Sequence, residues 1–275
     1  MSTTHSPAPA VRNQLGQPPR TASRGGLMRA EWIKFSSLRS TWVTLVAVIV
    51  ATVGLGWLFA AVAAAASSSG DAPLGAVSGV ALSLAGAQIA WIAFGVLGVL
   101  EVTGEYSHGS IGPTFSADPR RWPTLLTKVA VLAFVVLITG GVSVLTAFIL
   151  GQAALGGAAL SLTDDGVVRV LVATTVYLAG LGLIGQALGW LLRSTAGAVA
   201  ALFGLVFLLP GLGQLLPSSW GPDVVRWLPA QAGQAAQSLV PGEGDLAPVT
   251  GLVVFLMWVL LALVAAAVAT SRRDA

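Results

Sequence analysis

The sequence predicts an all-α membrane protein with six transmembrane helices, both termini in the cytoplasm. Three observations lead there. Of 275 residues, 55% are hydrophobic and 9% charged, whereas an ordinary soluble domain is about a quarter charged. The mean hydropathy is +0.85. The apolar residues gather in runs near the length of about 20 residues that a helix needs to cross roughly 30 Å of hydrocarbon. Several of the nine Trp sit near the ends of those runs, where interfacial belts place them.

The first 26 residues are Ser, Thr, Pro and Arg with little apolar content, which predicts a disordered basic tail and no secretory signal. Residues 27–40 differ. Met28, Trp32, Phe35 and Leu38 step by four, three and three, along one helical stripe, while Arg29, Lys34 and Arg39 lie off it. That pattern predicts an amphipathic helix in the headgroup layer, leading into the first span. Residues 41–275 form the membrane domain, with spans at about 41–65, 77–102, 124–150, 170–192, 196–216 and 248–270.

Basic residues orient the six spans. With the N-terminus inside, the inner segments hold Arg12, Arg20, Arg24, Arg29, Lys34, Arg39, Arg120, Arg121, Lys128, Arg193, Arg272 and Arg273. The outer segments hold only Arg169 and Arg226. Excess Lys and Arg on one side marks the cytoplasmic face. The same bias explains the net charge of +3 without invoking nucleic acid. The connection 216–246 is then external. Its Trp220, Val224, Val225, Trp227 and Leu228 are too apolar for a free loop and predict packing on helix ends or a dip into the outer leaflet. Pro210, Gly211 and Gly213 loosen the end of the fifth span just before it.

The stretch from Glu101 to Lys128 stands apart. Glu101, Glu105, His108, Asp118, Arg120, Arg121 and Lys128 crowd between two apolar runs, broken up by Gly104, Gly109, Gly112, Pro113, Pro119 and Pro123. Polar backbone between two membrane helices must meet water or another protein. The stretch reads as a docking element for a cytoplasmic partner or, more simply, as a charged loop. Glu105 can pair with Arg120 or Arg121, or cap a helix start. Gly109 lets the backbone bend, Ser110 can bond a free N–H, and Pro123 suits the first turn of the third span.

Several chemistries lack the residues they need. The two lysines, Lys34 and Lys128, follow Ile33 and Thr127, so no phosphate-cradling GxxxxGK[ST] loop exists. Gly180, Gly182 and Gly185 spell GxGxxG inside a span with no strand before it, and Gly185 with Gly189 reads instead as close helix packing. With no cysteine and only His5 and His108, neither a zinc site nor a Ser-His protease is expected, and no metal or cofactor is assigned to the chain. Glu101 is the one acidic candidate at depth, with no basic partner evident. Gln88, Trp91 and Gln186 are the other polar or amphipathic groups there. They read as interhelical hydrogen-bonding groups or as part of a substrate path.

Taken together, these segments resemble the membrane subunit of ABC-2 type transporters in its actinobacterial form. The likeness lies in AEWIKFSSLRSTWVTL, GEYSHGSIGPTFSADPRRWPTLLTK, LGWLLRSTAGAVAALFGLVFLLP and WLPAQAGQA, and it covers nearly everything after residue 27. The family's Glu, Gly-Thr, Pro-Arg and Lys pattern falls here on Glu105, Gly109 with Ser110, Pro119 with Arg120, and Lys128. Ser110 replaces the usual threonine, and Gly112 with Pro113 interrupts the helix expected after it. The resemblance implies a permease of the cell membrane, working as a dimer or with a paralogue among membrane lipids. Two separate cytoplasmic ATPase subunits would carry ATP and Mg²⁺ and drive export. Glu105, Gly109, Ser110, Pro119, Arg120, Arg121 and Lys128 would then form the coupling element. A stand-alone carrier or channel, and a non-transporting assembly or sensory protein, are the alternatives.

Overall fold

A computed structural model describes residues 24–37, 39–68, 76–107, 122–217 and 219–272. The described chain is helical, with no strand among the described residues. Six of its helices are long and apolar enough to cross a membrane: Arg39–Ser67, Ala87–Ser107, Trp122–Leu155, Val167–Leu192, Thr195–Gly213 and Pro248–Arg272. The protein thus has the helical character of a multi-pass membrane protein. The tail 1–23 lies outside the described residues, and helix begins at Arg24 rather than at 27.

We number the helices α1 (Arg24–Ser37), α2 (Arg39–Ser68), α3 (Ala76–Ser83), α4 (Ala87–Ser107), α5 (Trp122–Leu155) and α6 (Val167–Leu192). After these come α7 (Thr195–Gly213), α8 (Gly221–Val225), α9 (Pro229–Gln237) and α10 (Pro248–Arg272). Helix α6 is the axis of the bundle. It packs on α4, α5, α7, α9 and α10, and its spanning window is 67% buried against 17% for α10. The outermost helices turn whole apolar faces outward, as Met257, Leu260 and Leu261 do on α10. Lipid tails as apolar as leucine remove the drive to bury such residues.

Small residues bring α4 against α6. A Cβ on Gly98 would run into the Gly182 carbonyl oxygen, and one on Gly185 into the Gly95 backbone. Both helices therefore approach to backbone contact, the use that Gly has between membrane helices. Gly95 faces Leu202 of α7 and Gly98 faces the Gly182 carbonyl of α6, so both are taken up within one protomer. Gly182 and Gly185 pack on α4.

Two spans are discontinuous. The run at 77–102, one span by hydropathy, is two helices. After Ser83 the ladder tightens to three-residue spacing, with Ala85 N–H donating to Leu82 O at 3.1 Å and Ala87 N–H to Leu84 O at 2.9 Å. Gly86 lies hard against the Thr52 backbone of α2, where a Cβ has no room. The end of α3 is pinned from the other side: Gln152 Nε2 donates to Ser83 Oγ at 3.1 Å, and Leu160 N–H donates to Gln152 Oε1 at 2.8 Å. In α7 the turn Gly204–Leu208 widens, with Leu209 N–H reaching back five residues to Gly204 O. Pro210, next in line, has no N–H to give and its ring crowds the preceding turn.

In the connection 216–246 it is α9 that packs, while Trp220, Val224 and Trp227, named from the sequence, stay 45–48% exposed. Helix α9 buries Ala230, Ala232, Gly233, Ala235 and Ala236 against α6 and α10. Its C-terminal carbonyls are held by Arg169, which donates to Ala236 O, Ser238 O and Leu239 O at 3.0–3.3 Å.

Candidate functional site

At one end of the bundle, α1, α4 and α5 meet in a closed knot of charge. Helix α4 runs on to Ser107, five residues beyond the span end expected at 102. Glu105 therefore stands on its last turn, not in a loop. Helix α5 starts at Trp122, with Pro123 in its first turn as anticipated, and Lys128 follows within two turns. Helix α1 lies against α5 and supplies Glu31 and Lys34.

The four side chains bond to one another. Lys128 Nζ donates to Glu31 Oε2 at 2.6 Å and to Glu105 Oε1 at 2.9 Å. Lys34 Nζ donates to Glu31 Oε1 at 3.1 Å and to the same Glu105 oxygen at 3.1 Å. Two carboxylates face two ammonium groups, so the set is neutral. The lysines differ in setting: the Lys128 side chain is 2% exposed and that of Lys34 45%. Charge-assisted bonds of this length are the strong kind. Removing one partner from such a buried set leaves the others uncompensated, at a cost of about 3–5 kcal/mol. One turn earlier on α4, Glu101 Oε2 accepts from Gln186 Nε2 of α6 at 2.8 Å. Lys128 also acts electrostatically on Glu101, the basic neighbour the sequence left unidentified.

The sequence-derived candidates divide. Glu105 and Lys128 come together, 23 residues apart in the chain. Gly109, Ser110, Pro119, Arg120 and Arg121 lie outside the described residues. Among the described residues, Glu105 pairs with Lys34 and Lys128. Glu31 and Lys34 are the site members that sequence reasoning missed as such. Their signal was present: a Glu three residues before a Lys on one helix face, in a chain with two lysines in all. The apolar stripe had drawn the eye instead. On α1 it is Glu31 and Phe35 that are buried, while Met28 and Trp32 stay 43% and 40% exposed. Trp32 meets the edge of Phe134 on α5 at 6.1 Å.

Gln88, Trp91 and Gln186 do not form one site. Trp91 is 3% exposed and packs on Phe203 and Phe207 of α7 at 5.8 and 5.2 Å. Gln186 is fully buried in its bond to Glu101. Only Gln88 opens onto space. It borders a cleft of about 480 Å³ shared by α3, α4, α6 and the end of α9, with Leu84, Val170, Thr174, Gln234 and Gln237 around it. Gln88 lies 17 residues before Glu105 on α4, which is about 25 Å along the helix axis. The cleft and the charge knot thus occupy opposite ends of the molecule.

Neither a nucleotide-cradling loop in the sequence nor a cluster of metal-ligating side chains among the described residues accompanies either site. The chain matches no protein-family model and no curated protein, so its reading rests on this geometry and on the resemblance of its motifs.

Proposed function

We propose that this protein is the permease subunit of an ATP-driven exporter of the ABC-2 type in the cell membrane. It lines the translocation path with a second copy or a paralogue, and two separate cytoplasmic ATPase subunits drive it. One observation carries the reading. The charge knot ties α1 to both helices that flank residues 108–121, through Glu105 on one side and Lys128 on the other. A displacement delivered to that segment is then shared by two spans and by α1, not absorbed in a slack loop. A chain with no phosphate-binding loop of its own needs such an input. The excess of basic residues in the segments at that end supports a cytoplasmic position for the knot, where an ATPase would dock.

Affinity capture of the tagged chain from its native membranes in detergent tests the assignment. The expected result is a complex whose ATP hydrolysis is coupled to transport in proteoliposomes. Glu105→Gln, which keeps the shape but weakens two ion pairs, is expected to lower transport per ATP, whereas Asp245→Ala at the other end leaves it unchanged. A captured chain free of any ATPase, or wild-type coupling in the Glu105 variant, defeats the reading. Topology is checked separately. Cysteines at Ser2, Ser110 and Asp274 are expected to resist a membrane-impermeant thiol reagent in intact cells, and cysteines at Ser69 and Asp164 to react. Crosslinking in membranes is expected to give a band at twice the 27.9 kDa protomer mass if two copies pair.

A further inference from the structure

The cleft beside the break between α3 and α4 has a composition unlike the rest of the bundle. Three primary amides, from Gln88, Gln234 and Gln237, stand around an otherwise apolar wall that includes Leu84, Val170 and Leu239. No titratable side chain lines it among the described residues. The nearest cation, Arg169, has its guanidinium turned into the carbonyls that end α9. The side-chain amides of Gln88 and Gln234 are exposed and bond to no described side chain; that of Gln237 gives one N–H to Gly233 O at 2.9 Å. Beside the cleft, Thr174 Oγ1 donates to Val170 O, and Ser83 is taken up by Gln152. The cleft thus gathers three amides beside the break between α3 and α4.

Its volume of about 480 Å³ falls within the roughly 300–1,000 Å³ of small-molecule sites. Interrupted spans commonly border the binding sites of transporters, because the helix ends free polar groups beside a cavity. The second interruption, the widened turn of α7, is linked to the first through Trp91 on Phe203 and Phe207. A charged ligand would find no counter-ion here, and transfer of a bare charge into such a wall is strongly unfavourable. A pure hydrocarbon would leave the amides unpaired.

We infer that this cleft binds an uncharged amphiphile with an apolar body and amide or hydroxyl groups, and that such molecules are the class this permease carries. The substrate half of the inference rests on the exporter reading; the binding half does not. The test therefore uses the permease alone, full length, in lipid nanodiscs without ATP or ATPase. The probe is a diazirine-tagged N-decanoyl-trialanine amide, which is neutral. Its companions are the same molecule ending in a free carboxylate and a diazirine alkane of equal length. The neutral amide is expected to label residues 81–88, 170–174 or 234–240 saturably, in competition with unlabelled compound. Each companion is expected to label those segments at least about tenfold more weakly. Gln88→Leu with Gln234→Leu is expected to lower labelling about tenfold, two neutral hydrogen bonds being lost. Ala85→Trp is expected to abolish it by filling the cleft, and Gln214→Leu, an exposed amide elsewhere, to leave it unchanged. If Ala85→Trp fails to fold, the glutamine pair still decides. Equal labelling by the carboxylate, label that does not compete, or an unaltered glutamine variant each overturns the binding inference. Saturable labelling here, together with an affinity capture from membranes that brings down no ATPase, would instead leave the site standing and remove the exporter reading.

Discussion

The two ends of α4 make opposite use of polar groups. At the Glu105 end four charged side chains close on one another. At the Gln88 end three neutral amides face open space. A buried charge must find its partner inside the protein, so a charged cluster in a membrane bundle becomes a joint. A neutral amide can wait, since leaving it in a wet or interfacial cleft costs little until it is desolvated. The charged end is built to hold helices together, and the neutral end to take something in.

The sharpest way to break this contrast is at Lys128. Lys128→Met leaves Glu31 and Glu105 facing each other without their buried cation. The expected loss is about 3–5 kcal/mol, read as aggregation or a much lower melting temperature in detergent by Trp fluorescence. Adding Glu31→Gln and Glu105→Gln to it is expected to recover part of the loss, because the uncompensated charge is then gone.

Next in size is the joint between the two ends. Gly98→Val puts a branched side chain into the Gly182 carbonyl, for an expected loss of about 1–3 kcal/mol from forced separation of α4 and α6. Gly54→Ala on α2, with nothing within 4 Å of its added carbon, serves as the control. It is expected to hold or raise the melting temperature, as Ala is the better helix former.

Gln152→Leu probes the neutral side. It strips Ser83 Oγ of a donor and Leu160 N–H of an acceptor, an expected loss of about 1–2 kcal/mol. Faster cysteine labelling at Ala81 would report a loosened α3.

The smallest effect is expected at Lys34, and it sharpens the comparison most. Lys34 reaches the same Glu105 oxygen as Lys128, yet its side chain is 45% exposed. Lys34→Met is expected to cost about 0–1 kcal/mol, less at high salt. A loss in Lys34→Met equal to that in Lys128→Met would show that burial does not set the strength of this network.

The spans could be read from sequence because the bilayer imposes a length and an apolar content, and α5 and α10 announce both. The break at residues 84–86 could not. ALSLAGAQ is apolar but for Ser83 and Gln88, and hydropathy is blind to whether a helix continues; at the break, Gly86 lies against the α2 backbone. Of the charge knot, Glu105 and Lys128 stood out as members of a patterned stretch. Glu31 lies 97 residues from Lys128 and Lys34 lies 71 from Glu105, and pairing over such separations leaves no local period to detect. On α1, periodicity finds the apolar stripe, of which Phe35 is buried and Trp32 meets Phe134, but it is silent on Glu31, whose buried partner sits on another helix.

The long separation of those partners also has a meaning in time. Glu31 leaves the ribosome before any span, and Lys128 follows 97 residues later, about 5–20 s at ordinary rates of synthesis. Through that interval α1 has no buried cation to close on. Two spans are laid down before the knot can be tied. The third then brings its lysine to a site already supplied with carboxylates, and the first helix to be made is among the last to be fastened.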